Sequence, residues 1–292
     1  MKTYKTEEGR KSIYESYDRL MAQWGVDAEE LDIEGRYGTT HIIAAGKKEN
    51  HPLFLFHGVG DNSAMMWLYN AKALSENFRI YAVDAIGGAG KSVPGPSYGK
   101  GFNQTLWVSE LLDALEISKT HVAGVSYGCY LVQLLKAKMP ERIVKSFGMA
   151  GSIYSGSSRG GMIRMMKAFL PEALFPTDKN VEKLIRKLSG EHIERLTENS
   201  ELMHHWKLLL RQFNNMSMGY HSIIEITNEE IMNIRESLKL LVGDRDILSY
   251  HPQSLENMDG AGIDYEIIEG CGHAINHEQP EMINRKILEF LI

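Results

Sequence analysis

Residues 120–128, T-H-V-A-G-V-S-Y-G, set a serine between two glycines directly after an apolar run. The run is typical of a buried strand, and a helical pattern begins at Tyr127. A chain that passes from strand to helix within one residue bends so sharply that Ser126 must adopt strained backbone dihedrals. Gly124 and Gly128 carry no side chain, which lets the strand and the helix approach closely. The bend is predicted to lift the hydroxyl of Ser126 clear of a sheet.

The pattern G-x-S-x-G around Ser126 is the nucleophile elbow, but the five letters alone are a weak signal because the chain contains them twice. The second copy, G-S-S-R-G at residues 156–160, lies several residues past its strand in a stretch rich in glycine and serine. We interpret that stretch as a flexible connector. Ser126 stands at a helix N-terminus, where positive potential favours a developing anion. Ser126, and not Ser158, is therefore the predicted nucleophile.

A serine becomes a nucleophile when a base takes its proton and an acid orients that base. Late in the chain, residues 240–246, L-L-V-G-D-R-D, form a predicted strand that ends in two carboxylates. After the next predicted strand comes G-C-G-H, which ends at His273. Serine, then aspartate, then histidine is the chain order of one hydrolase class. We predict His273 as the base and favour Asp246 over Asp244 as the acid, because Asp246 lies deeper in its loop.

A tetrahedral intermediate needs two N–H donors aimed at its oxygen. The sequence F-L-F-H-G-V-G at residues 54–60 ends another predicted strand in a glycine-rich turn. In the elbow layout, one donor comes from the residue after the nucleophile and the other from this turn. We therefore predict the backbone amides of Tyr127 and Val59 as the oxyanion hole, with His57 holding the turn through its ring nitrogens.

Residues 85–92, A-I-G-G-A-G-K-S, differ by one residue from the phosphate-binding pattern G-x-x-x-x-G-K-[ST]. That pattern requires a helix directly after it, because the helix N–H groups hold the phosphates. Here Val-Pro-Gly-Pro follows at residues 93–96, and two prolines with a glycine do not carry such a helix. We interpret the stretch as a glycine-rich loop after a strand, and a nucleotide-binding function is disfavoured.

Predicted strands and helices alternate over most of the chain, which indicates a mostly parallel α/β sheet with helices on both faces. Residues 152–226 break this alternation, since they contain two helical apolar stripes and no strand pattern. We interpret them as a helical cap inserted into a core formed by residues 1–151 and 227–292. Three methionines of the cap are candidates for lining an acyl pocket, because methionine adapts to flexible apolar ligands: Met162, Met165 and Met166.

The composition limits the partners and the location of the protein. The formal net charge of −6 argues against a nucleic acid or an anionic membrane surface as partner. No apolar run approaches the roughly 18 residues of a membrane span, and the start, M-K-T-Y-K-T-E-E, lacks the apolar core of a secretory signal. Cys129 and Cys271 do not make a disulfide framework, so we expect a cytoplasmic protein with two packing thiols.

His277 follows His273 by four positions, but no third ligand is evident and no metal is expected. The sequence does not predict an oligomeric state.

These motifs resemble those of the α/β-hydrolase fold family, in which they occur in the same order over residues 53–292. Residues 84–92, D-A-I-G-G-A-G-K-S, are similar to that family's D-x-x-G-x-G-x-S loop with one residue inserted. The N-terminal helix and residues 36–46, R-Y-G-T-T-H-I-I-A-A-G, resemble those of bacterial carboxylesterases of the NP type. The resemblance implies a mainly parallel eight-stranded sheet, a cap after the sixth strand, a triad of the predicted serine, histidine and aspartate, and no cofactor.

The leading hypothesis is a serine hydrolase that cleaves carboxylic esters of small or medium apolar acids through an acyl-enzyme. One alternative keeps the fold but gives it a ligand-binding or signalling role without turnover. The sequence does not separate esters from thioesters, lactones, amides or C–C bonds as substrates, because a fold does not fix its substrate.

Overall fold

Alternating apolar strands and amphipathic helices produce a central sheet in a computed structural model that describes residues 2–153, 164, 167–169, 172 and 174–292. The strands are β1 Ala28–Gly35, β2 Gly38–Ala45, β3 His51–Phe56, β4 Phe78–Val83, β5 Val93–Pro94, β6 Thr120–Val125, β7 Ile143–Met149, β8 Leu238–Gly243 and β9 Asp264–Ile268. Hydrogen bonds order eight of them as β1-β2-β4-β3-β6-β7-β8-β9, and β5 pairs with β2 outside this path.

The sheet is mostly parallel, as predicted. Every pair from β4 through β3, β6, β7 and β8 to β9 is parallel, whereas β2 runs antiparallel to both β1 and β4. The expected eight-stranded sheet is thus confirmed along the main path. The ninth strand, β5, was missed because two residues carry no periodic signal.

Burial explains why the central strands read as continuous apolar runs. Leu53, Phe54 and Leu55 of β3 have no exposed surface, and Val122 and Ala123 of β6 are equally inaccessible. A parallel strand with helices on both faces has two buried sides, so apolar residues do not alternate with polar ones. These strands hold their carboxyl ends, where the predicted site residues follow, in fixed positions.

The helices cover the two faces of the sheet. In the described part of the chain they are α1 Glu7–Met21, α2 Ser63–Met66, α3 Ala71–Ser75, α4 Gln104–Ala114, α5 Tyr127–Lys138, α6 Asp178–Leu188, α7 Glu194–Thr197, α8 Ser200–Gln212, α9 Asn228–Ile234, α10 Pro252–Ala261, α11 Ile275–Glu278 and α12 Pro280–Leu291. Two short 3-10 helices, Asn215–Met218 and Arg235–Ser237, join them. None of the helices in the described ranges is long and apolar enough to cross a bilayer.

Several helices differ in their bounds from the sequence prediction, and two of these differences have a clear physical cause. The apolar pattern of the sequence predicts a first helix over residues 12–24, whereas α1 covers Glu7–Met21. It begins earlier because the Thr6 side chain accepts a hydrogen bond from the Gly9 amide and caps the helix. The sequence also predicts one helix over residues 64–76, but the structure has two short helices there, α2 and α3. The chain leaves the helical conformation at Trp67, a wholly buried side chain, so packing overrides the local pattern there.

Helices without strands occupy the described residues between β7 and β8. On α6, Val181, Leu184 and Ile185 are buried as the predicted apolar stripe requires. On α8, Glu201 accepts hydrogen bonds from Ser16 and Arg19 of α1, at 2.6 and 2.9 Å, which ties the inserted helices to the N-terminal helix. The methionines predicted to line a pocket, Met162, Met165 and Met166, and the second elbow-like serine, Ser158, lie outside the described residues.

Candidate active site

The turn between β6 and α5 has the geometry that its sequence predicts. Ser126 has φ 59° and ψ −112°, in a region that a residue with a side chain rarely adopts. A Cβ atom at position 124 would overlap the carbonyl oxygen of Gly128, and one at position 128 would overlap that of Phe56. Glycine at both positions is therefore required for the strand and helix to meet. Ser126 is partly exposed, whereas its neighbours Val125 and Tyr127 are buried.

His273 and Asp246 meet at the carboxyl edge of the sheet. Asp246 follows β8 and His273 follows β9, and His273 Nδ1 lies 2.9 Å from Asp246 Oδ2. The other oxygen, Oδ1, accepts hydrogen bonds from the amides of Leu248 and Ser249 at 2.9 and 3.2 Å. Asp246 is 1% exposed, and its carboxylate is held by three donors, the His273 imidazole and the two backbone amides.

The electrostatics of this pair favour a charged carboxylate and an imidazole ready to take a proton. Burial raises the pKa of Asp246, but the charge and hydrogen bond of His273, together with the hydrogen bonds from Leu248 and Ser249, outweigh burial and lower it below its ordinary value. Burial lowers the pKa of His273, but the charge and hydrogen bond of Asp246, with a smaller contribution from the charge of Asp61, outweigh burial and raise it above its ordinary value. Because Nδ1 bonds to the carboxylate, Nε2 is the nitrogen free for proton transfer.

Asp244, the other carboxylate of the predicted loop, lies away from the histidine. One of its oxygens lies 3.9 Å from the Arg245 guanidinium, and the other is buried without a hydrogen-bond partner. Its backbone amide donates to Ile268 at the end of β9. The structure thus brings Asp246, and not Asp244, against His273.

The loop after β3 passes directly beside the turn that carries the serine. A Cβ atom at position 58 would lie 3.3 Å from Ser126 Cβ, which is closer than most contacts of a Cβ atom, so the two loops approach each other closely at Gly58. Neither the Val59 nor the Tyr127 amide donates a hydrogen bond within the described part of the chain. His57 holds the loop as predicted: Nδ1 donates to Gly58 O at 2.7 Å, and Nε2 accepts from the Ala85 amide at 2.9 Å.

The glycine-rich loop of residues 84–92 is a structural element and continues into the short strand β5. Asp84 is fully buried, and its oxygens accept hydrogen bonds from the Ser63 amide, the Lys91 amide and the Tyr17 hydroxyl at 2.8, 2.8 and 3.0 Å. The Lys91 ammonium lies 2.6 Å from each of two carboxylates, those of Asp18 and Glu30. A lysine already engaged by two carboxylates does not serve a phosphate, which agrees with rejecting the P-loop hypothesis.

The remaining histidine and cysteine candidates have packing roles. His277 Nε2 donates to the Met65 carbonyl at 2.9 Å. Within the ranges that the structure covers, no group of three or more His, Cys, Asp or Glu side chains is arranged to hold a metal ion. Cys129 and Cys271 are both free and buried, and burial raises the pKa of each thiol to about 12. Thiols with such pKa values are not thiolate nucleophiles near neutral pH.

Two residues near the site carried no signal in the sequence. His221 bridges the elbow and the loop after β4: Nδ1 accepts from the Tyr127 hydroxyl at 2.6 Å, and Nε2 donates to Ile86 O at 2.7 Å. Asp61 lies two residues beyond Val59 and interacts electrostatically with the His273 imidazole. Both depend on contacts between segments far apart in the chain, which no local motif reveals.

Comparison with known proteins was made by sequence and by structure. The model of the "Alpha/beta hydrolase family" matches residues 53–286. The chain is 27% identical over 297 aligned positions to Carboxylesterase YbfK of Bacillus subtilis (strain 168), covering 96% of this chain and 93% of that protein. The crystal structure of naproxen esterase (carboxylesterase NP) from Bacillus subtilis superposes with a TM-score of 0.84 at 24% identity, covering 99% of this chain and all of that one. Carboxylesterase CesB (YbfK) from the same organism superposes with a TM-score of 0.78 at 26% identity, covering 97% and 98% of the two chains.

The family match covers most of the chain and all of the site. It runs from β3 to α12 and includes Ser126, Asp246 and His273 together with the loop after β3. The resemblance predicted from the motifs, including that to NP-type carboxylesterases, is confirmed. The chain belongs to the alpha/beta hydrolase family.

Proposed function

We propose that this protein is a serine hydrolase that cleaves carboxylic esters of small to medium apolar acyl groups. The observation that carries the proposal is the buried hydrogen bond of 2.9 Å between His273 Nδ1 and Asp246 Oδ2, at the edge of the sheet where Ser126 stands on its strained turn. Support comes from the similar proteins, since both named relatives are carboxylesterases.

The proposed mechanism has two stages. In the first, Ser126 Oγ attacks the ester carbonyl carbon while His273 Nε2 takes the hydroxyl proton. The Val59 and Tyr127 amides stabilise the resulting oxyanion, and Asp246 stabilises the imidazolium. Collapse of the tetrahedral intermediate breaks the ester C–O bond, and His273 returns its proton to the leaving alcohol. In the second stage His273 activates a water molecule, which hydrolyses the acyl-enzyme and releases the acid.

The insertion at residues 152–226 is proposed to form a cap over this site, with residues 1–151 and 227–292 as the core. Two contacts support this proposal. The His273 amide donates a hydrogen bond of 2.6 Å to Leu188 O at the end of α6, and His205 of α8 accepts one of 2.8 Å from Asn62 in the loop after β3. On sequence grounds alone, three methionines of the insertion are proposed to line the acyl pocket: Met162, Met165 and Met166.

A cytoplasmic location is also proposed. Its support is the state of the two cysteines, Cys129 and Cys271, which are both free and buried. Thiols persist in the reducing cytosol, whereas exported proteins usually pair them.

A chain-length series of p-nitrophenyl esters tests the proposed function. We expect steady hydrolysis over many turnovers, with the highest kcat/KM for short to medium apolar acyl chains, because an acyl-enzyme is regenerated to free enzyme in each cycle. A ligand-binding protein without turnover would release at most one equivalent of p-nitrophenol. Release that stops at one equivalent for every ester would contradict the proposal, provided that the protein remains folded by circular dichroism.

The pH dependence of ester hydrolysis is expected to follow the ionisation of His273. The imidazole acts as a base only when it is unprotonated, and Asp246 raises its pKa despite the opposing effect of burial. The value of kcat/KM should therefore fall as the pH decreases, with an apparent pKa above the roughly 6.5 of an unperturbed histidine. A pH–rate profile with p-nitrophenyl butyrate measures this value. An acidic limb with an apparent pKa below about 6 would contradict the assignment of the His273–Asp246 pair.

A further inference from the structure

The glutamate at the end of α11, Glu278, joins two segments that lie far apart in the chain. Its Oε1 accepts a hydrogen bond of 2.8 Å from the Gly272 amide, directly before the proposed catalytic base, His273. Its Oε2 accepts one of 2.6 Å from the Gly190 amide, in the connection that follows α6. Glu278 is 2% exposed. Both oxygens of a buried carboxylate are therefore occupied by backbone amides of two separate segments.

The same two segments also bond to each other directly. The Leu188 carbonyl, at the end of α6, accepts hydrogen bonds from the amides of His273 and Ala274 at 2.6 and 3.2 Å. The Glu191 amide donates to Gly270 O at 2.6 Å. The loop that carries the His273 imidazole is thus attached to the inserted helices as well as to the sheet.

The two segments meet without space for a side chain between them. A Cβ atom at position 190 would overlap Gly270 O, and one at position 272 would overlap Leu188 O. Contacts this close leave no room for the connection after α6 to shift toward the loop of His273 without moving that loop.

The short helix that carries Glu278 is fixed to a different part of the site. Asn276 Nδ2 donates to Met66 O at 2.6 Å, and His277 Nε2 donates to Met65 O at 2.9 Å, so α11 is bonded to α2. The helix α2 follows the loop after β3, which holds one of the proposed oxyanion donors. The carboxylate of Glu278 is therefore presented from an anchored backbone, and it holds the two amides in place.

The chemistry of the link requires a carboxylate. Two N–H donors face it, and a neutral amide of the same length has one oxygen to accept from them. Burial raises the pKa of Glu278, although the two amide hydrogen bonds and the His192 imidazole oppose this rise. The charges of Asp246 and Asp61 shift the pKa of His273 directly, whereas Glu278 reaches the imidazole through the backbone.

We propose that Glu278 is a positioning residue for the catalytic base. By holding the amide before His273 to the connection after α6, it keeps the imidazole against Asp246 and makes the position of the base depend on the inserted helices. This inference rests on the proposed function. A displacement of about 1 Å in a reacting group reduces the rate by about 10²-fold, so a link of this kind has a measurable effect on catalysis.

Glu278→Gln tests the role of the carboxylate. We expect kcat/KM for p-nitrophenyl butyrate to decrease about 10²-fold, because glutamine accepts from one amide and turns an N–H toward the other. The acidic limb of the pH–rate profile should also move toward the roughly 6.5 of an unperturbed histidine, because a displaced imidazole interacts less with Asp246. Circular dichroism at each pH gives the folded fraction. A loss of stability alone, once corrected for that fraction, leaves the limb in place.

Glu269→Gln is the matched control, because Glu269 is exposed directly before the same loop and loses the same charge. Its rate and its acidic limb should equal those of the unmodified protein. If Glu278→Gln does not fold, Glu278→Asp replaces it. That variant keeps the charge but is one methylene shorter and does not span both amides, so the same decrease and the same shift of the limb are expected.

Gly190→Ala tests whether the base depends on the inserted helices. The added Cβ atom presses on Gly270 O, so kcat/KM should decrease and the acidic limb should shift in the same direction as in Glu278→Gln. Gly260→Ala is the matched control. A Cβ atom at this exposed position of α10 has no heavy atom within 4 Å, so the activity should equal that of the unmodified protein.

An acidic limb that stays in place in Glu278→Gln, or an activity of Gly190→Ala equal to that of Gly260→Ala, would overturn the inference about Glu278. Failure of the proposed function gives a different result: the unmodified protein then does not turn over the ester, or its turnover does not require Ser126.

Discussion

Replacement of Ser126 by alanine is expected to reduce kcat for p-nitrophenyl butyrate by about 10⁴–10⁶-fold. Without Oγ no acyl-enzyme forms, and His273 and the oxyanion donors have no nucleophile to assist. Substrate should still bind, because alanine differs from serine by one small atom, and KM for any residual activity should then equal the dissociation constant of the ester. Initial rates over a range of substrate concentrations measure both constants.

Ser158→Ala is the matched control, because Ser158 stands in the second G-x-S-x-G of the chain. Its activity should equal that of the unmodified protein. Retained activity in Ser126→Ala together with lost activity in Ser158→Ala would contradict the assignment of the nucleophile. Circular dichroism of both variants establishes that neither change unfolds the protein.

Asp246→Asn is expected to reduce kcat by about 10⁴-fold while the protein stays folded. An asparagine has the same shape, but its amide lacks the charge that stabilises the imidazolium and can face His273 Nδ1 with N–H donors. The imidazole would then adopt the tautomer that has a proton on Nε2, where the serine proton must go. The rise in the pKa of His273 that Asp246 causes is lost as well. Single-turnover kinetics measure the loss of catalytic rate, and thermal melting measures whether the variant stays folded.

Asp244→Asn provides a control two residues away with the same change of charge. Asp244 has no contact with His273 in the structure. The kcat of the Asp244→Asn variant should therefore remain within about threefold of that of the unmodified protein, as for most substitutions outside a site. If Asp244→Asn were the inactive variant and Asp246→Asn the active one, the hydrogen bond between Asp246 and His273 would not be the catalytic one.

Features set by local sequence were predictable. The sequence predicts strands over residues 120–125 and 264–268, and β6 and β9 have these bounds: β6 ends at the Ser126 turn, and β9 ends before Glu269 and Gly270. The strain at Ser126 also followed from the sequence, since a strand and a helix joined by one residue leave it no ordinary conformation. The proximity of His273 and Asp246 was predictable from the common edge of a parallel sheet.

Features set by tertiary packing were not predictable. The helix predicted over residues 64–76 is divided at Trp67, which turns into the core. The sequence favoured Asp246 over Asp244 because Asp246 lies deeper in the loop. The structure distinguishes the two by a contact, since the carboxylate of Asp246 is the one that lies within hydrogen-bond distance of His273. His221 lies 94 residues from the tyrosine that it contacts, so no periodicity links the two.

Covalent labelling tests the central claim, that Ser126 is the nucleophile, most directly. A p-nitrophenyl alkylphosphonate phosphonylates an activated serine and releases p-nitrophenolate, and trypsin then separates residues 120–136, which contain Ser126, from residues 146–159, which contain Ser158. Mass spectrometry should find one adduct per chain, on residues 120–136, and none in Ser126→Ala. An adduct on residues 146–159, with residues 120–136 unmodified, would contradict the claim.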